Sequence, residues 1–276
     1  MSDSRPAPFA GAPGLSGLRD RGGEFYVGYL PMPRGLLRFV TGIAIALLIG
    51  MTLLACVLAR TNGDPGDGVW NTGAAQTFEG LLVADPYPHL RIARDSGEVG
   101  IESLLLVEMG KYGGGQRAAP LNGKRVRVSG WLLERDGRRM IEMEPSGGAS
   151  QLVISDQPLE TLPPAVRQPT HEPLGELTAR GEIVDSKCFL GAMKPGHGKT
   201  HKECATLCIA GGIPPMLVTR NAAGERRYIL LCDRDGRALD RRLLPFVADP
   251  VELRGKLERC DDLLLLRVDP NDIRRL

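Results

Sequence analysis

Between Phe39 and Ala59 the chain runs 21 residues without a single charge. A helix of that length spans about 30 Å, the thickness of a bilayer's hydrocarbon core. A core helix of a water-soluble domain keeps a polar face over such a distance, and this stretch keeps no charged one. The sequence therefore predicts one membrane span, with all other structure arranged on either side of it.

The flanks give the span a direction. Arg5, Arg19, Arg21, Arg34 and Arg38 precede it, whereas only Arg60 follows, ahead of Asp64 and Asp67. The positive-inside rule then predicts a cytoplasmic N-terminus and an exported C-terminal part. The expected location is the inner (plasma) membrane, single-pass, with the C-terminal domains in the periplasm. Leu53-Leu54-Ala55-Cys56 resembles a lipoprotein cleavage box, but the apolar run continues through Val57-Leu58-Ala59, which favours a retained anchor over lipidation of Cys56. Residues 1–38, rich in Pro and Gly, read as a flexible cytoplasmic arm. Within it Phe25-Tyr26-Val27-Gly28-Tyr29-Leu30 reads as an interfacial anchor, or else as a docking strip for another membrane subunit.

Residues 60–76 read as a polar linker, after which short strands alternate with turns. Lys124 to Leu132 alternates polar with apolar residues, as a half-buried strand does. Arg135-Asp136-Gly137-Arg138 carries a hairpin turn signal, and Met140 to Met143 returns. A second unit repeats the pattern. Gly181-Glu182-Ile183-Val184-Asp185 echoes Gly80 to Asp85, and Val251-Glu252-Leu253-Arg254-Gly255-Lys256-Leu257 echoes Val126 to Leu132. The first glycine pair (Gly80, Gly181) lies 101 residues apart and the second (Gly130, Gly255) 125. The second copy thus holds about 24 extra residues, and Cys188 to Gly212 is the evident insertion. Pro158 to Pro173 has five prolines and reads as a semi-rigid linker between the copies.

This glycine-opened strand, middle strand and closing V-x-V-x-G-x-L hairpin resembles the small OB barrel, in particular its anticodon-binding-like bacterial variants, over Phe78–Met143 and Leu177–Val268. The resemblance implies an all-β fold: two tandem small OB-like β-barrels on a single N-terminal transmembrane helix, with a short α-helix in the second barrel's insertion. The expected boundaries are 77–157 for the first barrel, 158–174 for the linker and 175–276 for the second. A β-sandwich is the competing architecture. OB barrels often bind oligonucleotides. Here 35 Lys+Arg against 33 Asp+Glu and 5% aromatic residues argue against a nucleic-acid partner.

The insertion concentrates the chain's reactive side chains. It holds Cys188, Cys204 and Cys208 of the six cysteines, and His197 and His201 of the four histidines. Thr200-x-x-Glu203 matches a capping box, which predicts a helix from about His201 that Gly211-Gly212 ends. On that helix Cys204, Leu207 and Cys208 share a face. Three chemistries are open. A disulfide staple suits an oxidising compartment, with Cys188 tied to Cys204 or Cys208 and with Cys232 and Cys260 as further candidates. The link from Cys188 to Cys204 would enclose 15 residues and stabilise by roughly 3 kcal/mol. A metal centre would use Cys188, His197, His201, Cys204 and Cys208 as soft ligands. A redox-active thiol pair is the third, although no C-x-x-C is present. His89 and His171 sit beside prolines and read as exposed loop residues, and Gly110 to Gly115 as a flexible connection.

The wording DSKCFLGAMKPGHGK-HKECA-LCI-GGIPPM over Gly181–Val218 is similar to a recurrent signature of bacterial membrane-anchored proteins encoded beside periplasmic molybdenum or iron–sulfur oxidoreductases. That resemblance implies a role next to a redox complex and supplies no catalytic residue. With no catalytic constellation in the sequence, the expected function is a non-enzymatic accessory subunit of a membrane redox (electron-transfer) complex. It would contact the lipid bilayer and other membrane-complex subunits and need no cofactor. The alternative is a periplasmic carrier or assembly factor for a metal ion, iron–sulfur cluster or haem.

Overall fold

A computed structural model describes residues 33–61, 68–94, 100–145, 152–221 and 223–276. Residues 1–32 of the expected N-terminal arm, with the Phe25–Leu30 strip, lie outside the described residues, and its last residues, from Arg34 on, already belong to a helix and not to a flexible arm. Helix α1 (Arg34–Thr61) has 28 residues, none of them buried, and is long and apolar enough to cross a membrane. Cys56 lies in its last turns.

The remainder, from residue 65 on, is one compact unit built from two closed five-stranded barrels. The first comprises β1 (Val69–Val83), β2 (His89–Ala93), β3 (Ile101–Val107), β4 (Arg125–Arg135) and β5 (Arg138–Met143), with the short α2 (Gly115–Ala118) before β4. Its strands pair in the order β1-β2-β3-β5-β4, and β4 returns to β1 to close the ring. All pairings are antiparallel except β3 with β5. A two-residue strand β6 (Val153–Ile154) adds to β4, and α3 (Pro164–Arg167) lies in the linker.

The second barrel repeats this arrangement with β7 (His171–Asp185), β8 (Pro215–Arg220), β9 (Arg226–Cys232), β10 (Pro250–Cys260) and β11 (Leu263–Val268). Here β9 and β11 form the parallel pair, β10 closes on β7, and β12 (Arg274–Arg275) adds to β10 as β6 adds to β4. The repeated glycines share one physical cause. A Cβ on Gly80, Gly181, Gly130 or Gly255 would stand 2.1–2.3 Å from a carbonyl oxygen of the neighbouring strand. The strands cross too closely there for a side chain, as in a strongly coiled small barrel.

The linkers differ from expectation. Residues 69–76 are strand and not linker: Val69–Asn71 pair with Leu132–Glu134, and Gln76 onward pairs again after an irregularity. The proline-rich linker is packed. Leu162 and Val166 are buried with Leu81, and Pro158, Pro163 and Pro164 start short helical turns against the first barrel. The second barrel's first strand starts inside the expected linker, at His171. The insertion lies between β7 and β8, where the first barrel has only Ala84–Pro88 between β1 and β2.

Each barrel has its own core, Leu82, Leu104, Val126 and Ile141 in the first and Ile183, Leu217, Leu253 and Leu266 in the second. A third apolar cluster joins them. Tyr87, Leu105, Leu133 and Met140 of the first barrel pack on Phe189, Leu190, Met216 and Leu265 of the second. The start of the insertion thus forms the seam between the barrels.

Candidate functional site

Strand β7 ends on Asp185, and the chain turns through Ser186-Lys187-Cys188 with all four residues buried. Burying charges demands partners for each of them. Lys187 Nζ uses its three donors on Glu142 Oε1 (2.6 Å), Glu108 O (2.9 Å) and Gly110 O (2.8 Å), all in the first barrel. Asp185 Oδ1 accepts from the Cys188 backbone N–H at 2.8 Å, and its Oδ2 accepts from His201 Nε2 at 3.1 Å. Phe189 then inserts between the barrels, edge-on to Tyr228, with the Arg135 guanidinium 4.3 Å above its ring.

Helix α4 (Lys202–Ala210) supplies the other half of the site. It starts one residue after the expected point, and no side chain caps it: His201 takes the N-cap position with its ring turned inward to Asp185. The capping box of Thr200 and Glu203 is therefore not formed. Cys204 and Cys208 do share a face, whereas Leu207 is exposed and leaves it.

The three thiols converge. Cys188 Sγ lies 4.0 Å from Cys204 Sγ and 3.9 Å from Cys208 Sγ, in contact without a bond, and all six cysteines are free. Ligand atoms of Cys188, His201 and Cys204 lie within 4.8 Å of one another, as do those of Asp185, Cys188 and Cys208. His197 is not part of either group; its ring packs against Phe189 at 6.2 Å.

One further residue completes the site from the first barrel. Lys111 Nζ lies 2.8 Å from Cys204 Sγ and 3.6 Å from Cys208 Sγ. The loop that carries it is docked by backbone contact: Gly113 N–H donates to Gly211 O at 3.0 Å. A Cβ on Gly113 would stand 2.0 Å from Gly212 O, and one on Gly211 1.9 Å from Lys111 O. The glycines at 113 and 211–212 thus let two loops meet without side chains between them. Residues 110–115 form this docking element in place of the flexible connection expected. Separated by 93 positions, Lys111 and Cys204 share no spacing signal in the sequence.

The electrostatics concentrate negative charge on one sulfur. The hydrogen bond from Cys188 holds the Cys208 thiol below its ordinary range, and the Lys111 ammonium adds to that against the cost of burial. Cys188 moves strongly upward, because it supplies that hydrogen bond and is buried beside Asp185. Lys111 is raised, chiefly by its hydrogen bond to Cys204. A thiolate is thus favoured inside the cluster, with a cation beside it.

The donor set suits a thiolate-seeking ion. Tetrahedral coordination with metal–sulfur bonds of about 2.3 Å places sulfurs about 3.8 Å apart, close to the two separations here. The Asp185–His201 pair uses Nε2, leaving Nδ1 as the second ring donor, and a carboxylate behind an imidazole is the usual support of a metal-ligating histidine.

The other expected candidates lie elsewhere. Cys232 is buried on β9 with its thiol on Leu266 O at 3.6 Å, and Cys260 ends β10, where its sulfur meets His171 Nδ1 at 3.0 Å. His89 and His171 are strand residues rather than loop residues, His89 buried and His171 exposed. Comparison of the chain with protein-family models, curated proteins and solved structures gives no match.

Proposed function

We propose that this chain is a membrane-anchored carrier or assembly factor for a soft metal ion. In this reading α1 holds two OB-like barrels at the exported face of the membrane, and Cys188, Cys204, Cys208 and His201 bind one Zn²⁺ or Cu⁺ ion at the seam between them. The observation that carries it is Cys188 Sγ at 4.0 Å from Cys204 Sγ and 3.9 Å from Cys208 Sγ, beside an Asp-supported imidazole. Three thiolates and a neutral imidazole around Zn²⁺ leave one net negative charge and the buried Asp185 carboxylate adds another; the Lys111 ammonium beside Cys204 offsets one of the two, and a bound cation lowers the cost of burying the thiolates. The similarity of the insertion to a signature found beside periplasmic oxidoreductases supports delivery of the ion to a membrane redox complex.

The test is metal retention by the full chain in detergent. Reduced protein titrated with Zn²⁺ or Cu⁺ is expected to hold an ion at this centre, and Cys188→Ser or Cys208→Ser to release it. Retention unchanged by either substitution overturns the reading. A Cys188–Cys204 or Cys188–Cys208 disulfide throughout the unreduced native protein overturns it in favour of the structural staple.

A further inference from the structure

We propose that the cleft between the barrels on the Cys260 side is a second soft-metal site, independent of the cysteine triad. A cavity of about 290 Å³ opens there, with Cys232, Cys260, His171, Glu258, His89 and Arg267 among its lining residues. Sulfur, imidazole and carboxylate meet in it: the ligand atoms of His171, Glu258 and Cys260 lie within 4.8 Å of one another. The register explains why. Cys260 faces His171 directly across the β10–β7 ladder, and Glu258, two residues before Cys260 on β10, is on the same face of the strand. Strand pairing alone thus sets three donors together at the end of the β10–β7 ladder.

Two further potential ligand residues line the cavity from other strands. Cys232 is buried on β9 with its sulfur on a carbonyl, so its S–H is directed by the backbone. His89 comes from the first barrel, and its Nδ1 meets the Tyr87 carbonyl at 2.9 Å. A carbonyl can only accept, so Nδ1 carries the proton and Nε2 keeps a free lone pair. The donors that meet, Cys260 Sγ and the His171 imidazole, are an N/S pair that selects Cu⁺ or Zn²⁺ over hard cations, and Cys232 and His89 line the same cavity.

Arg267 sets which ion fits best. Its guanidinium pairs with Glu258 at 2.7 and 3.0 Å, so the carboxylate is already balanced and the cavity gains no net negative charge from it. With one thiolate, that of Cys260, and the His171 imidazole as donors, a bound Cu⁺ leaves no net charge to compensate, which points to Cu⁺. Each thiol that ligates releases its proton to solvent. Exposed His171 and half-buried Cys260 place this site at the surface, in contrast to the buried triad. Exchange with outside ligands is open here and restricted there.

The experiment is a Cu⁺ titration of the reduced full chain in detergent, without oxygen, against a chromophoric Cu⁺ chelator, with native mass spectrometry counting bound ions. Wild type is expected to hold two Cu⁺, and His171→Ala and Cys260→Ser one each. Both positions lie at the edge of the fold, and far-UV circular dichroism checks that each variant keeps its barrels. The Cys188→Ser/Cys204→Ser/Cys208→Ser protein should retain the ion that His171→Ala loses. A wild-type count unchanged by His171→Ala and Cys260→Ser overturns the second site, whatever the triad does. A single wild-type ion lost with His171→Ala but kept in the triple variant supports this site and removes the triad reading instead.

Discussion

Replacing Lys187 by Met should destabilise the two-barrel unit by several kcal/mol. The wild-type ammonium is 4% exposed and the partner carboxylate of Glu142 2%, with 2.6 Å between them. Glu142 Oε2 has no hydrogen-bond partner in the structure, so the carboxylate depends on Lys187 for its compensation. Removing one member of a buried pair costs about 3–5 kcal/mol, because the remaining charge stays desolvated. Any carboxylate can escape such a site by taking up a proton, which at pH 7 costs about 4 kcal/mol from its ordinary solution value. The two estimates agree, and the Glu108 and Gly110 carbonyls lose their donor as well. With a urea dependence of about 2 kcal/mol per M, the midpoint should fall by roughly 2 M. Trp70 and Trp131 lie on β1 and β4, so tryptophan fluorescence during urea unfolding of the full chain in detergent reads the first barrel directly. Adding Glu142→Leu to Lys187→Met should recover most of the loss, since no buried charge remains. A Lys187→Met cost below about 1 kcal/mol, or a double variant in which the two losses simply add, would refute this account of the seam.

Arg91 is fully buried and donates to Asp261 at 2.6 Å and to the Ala165 and Gln168 carbonyls, so Arg91→Met should cost about 3–5 kcal/mol by calorimetry. Burial raises Asp261, but the hydrogen bonds from Arg91 and Thr170 outweigh it and hold the carboxyl below 3.8. Its stabilisation is therefore present above about pH 4 and lost as pH falls through the depressed folded value, and Asp261→Asn should flatten that acid limb in a melting-temperature series. Gly113→Ala puts a methyl against Gly212 O and should cost about 1–3 kcal/mol in urea unfolding while weakening metal retention. Lys111→Met removes the cation beside Cys204 and should weaken Zn²⁺ binding by about fivefold, the ~1 kcal/mol that two charges about 4 Å apart are worth when water screens them, in a chelator competition.

Much of the barrel architecture was legible because strands announce themselves locally. The alternation over Lys124–Leu132 became β4 with Val126 and Val128 buried, and Asp136-Gly137 turns with both residues at positive φ. The glycine pairs disclosed the repeat, and their 24-residue mismatch equals the difference between the loops that follow β1 and β7. What stayed hidden depends on distant contacts. Val69–Asn71 has no strand signature of its own; it is held by Leu132–Glu134 and by Gly191, whose missing Cβ admits the Val69 backbone. His89 beside Pro88 carried a loop signal, yet pairing with Leu105 draws it into a strand. Of the candidate site, the cysteines and His201 could be named from composition alone. Asp185, Lys187 and Lys111 could not, because ordinary charged residues acquire their roles only when burial forces them to find partners.

The two-barrel arrangement also explains how a thiol cluster can be buried in so small a fold. All three sulfurs come from the second barrel, but one small barrel has too little interior to enclose a nine-residue helix and a turn beside its own core. The first barrel, with only five residues at the matching loop, supplies a wall instead. Tyr87 from that loop donates to Leu231 O at 2.7 Å and accepts from Leu239 N–H at 3.2 Å, fixing the wall to the second barrel. Lys187 and Lys111 then cross the seam in opposite directions, one anchoring the first barrel's loop and the other returning from that loop to the sulfurs. A change in the charge of the cluster therefore acts on both barrels through Lys111, and the seam itself is the element able to respond to what the cysteines hold.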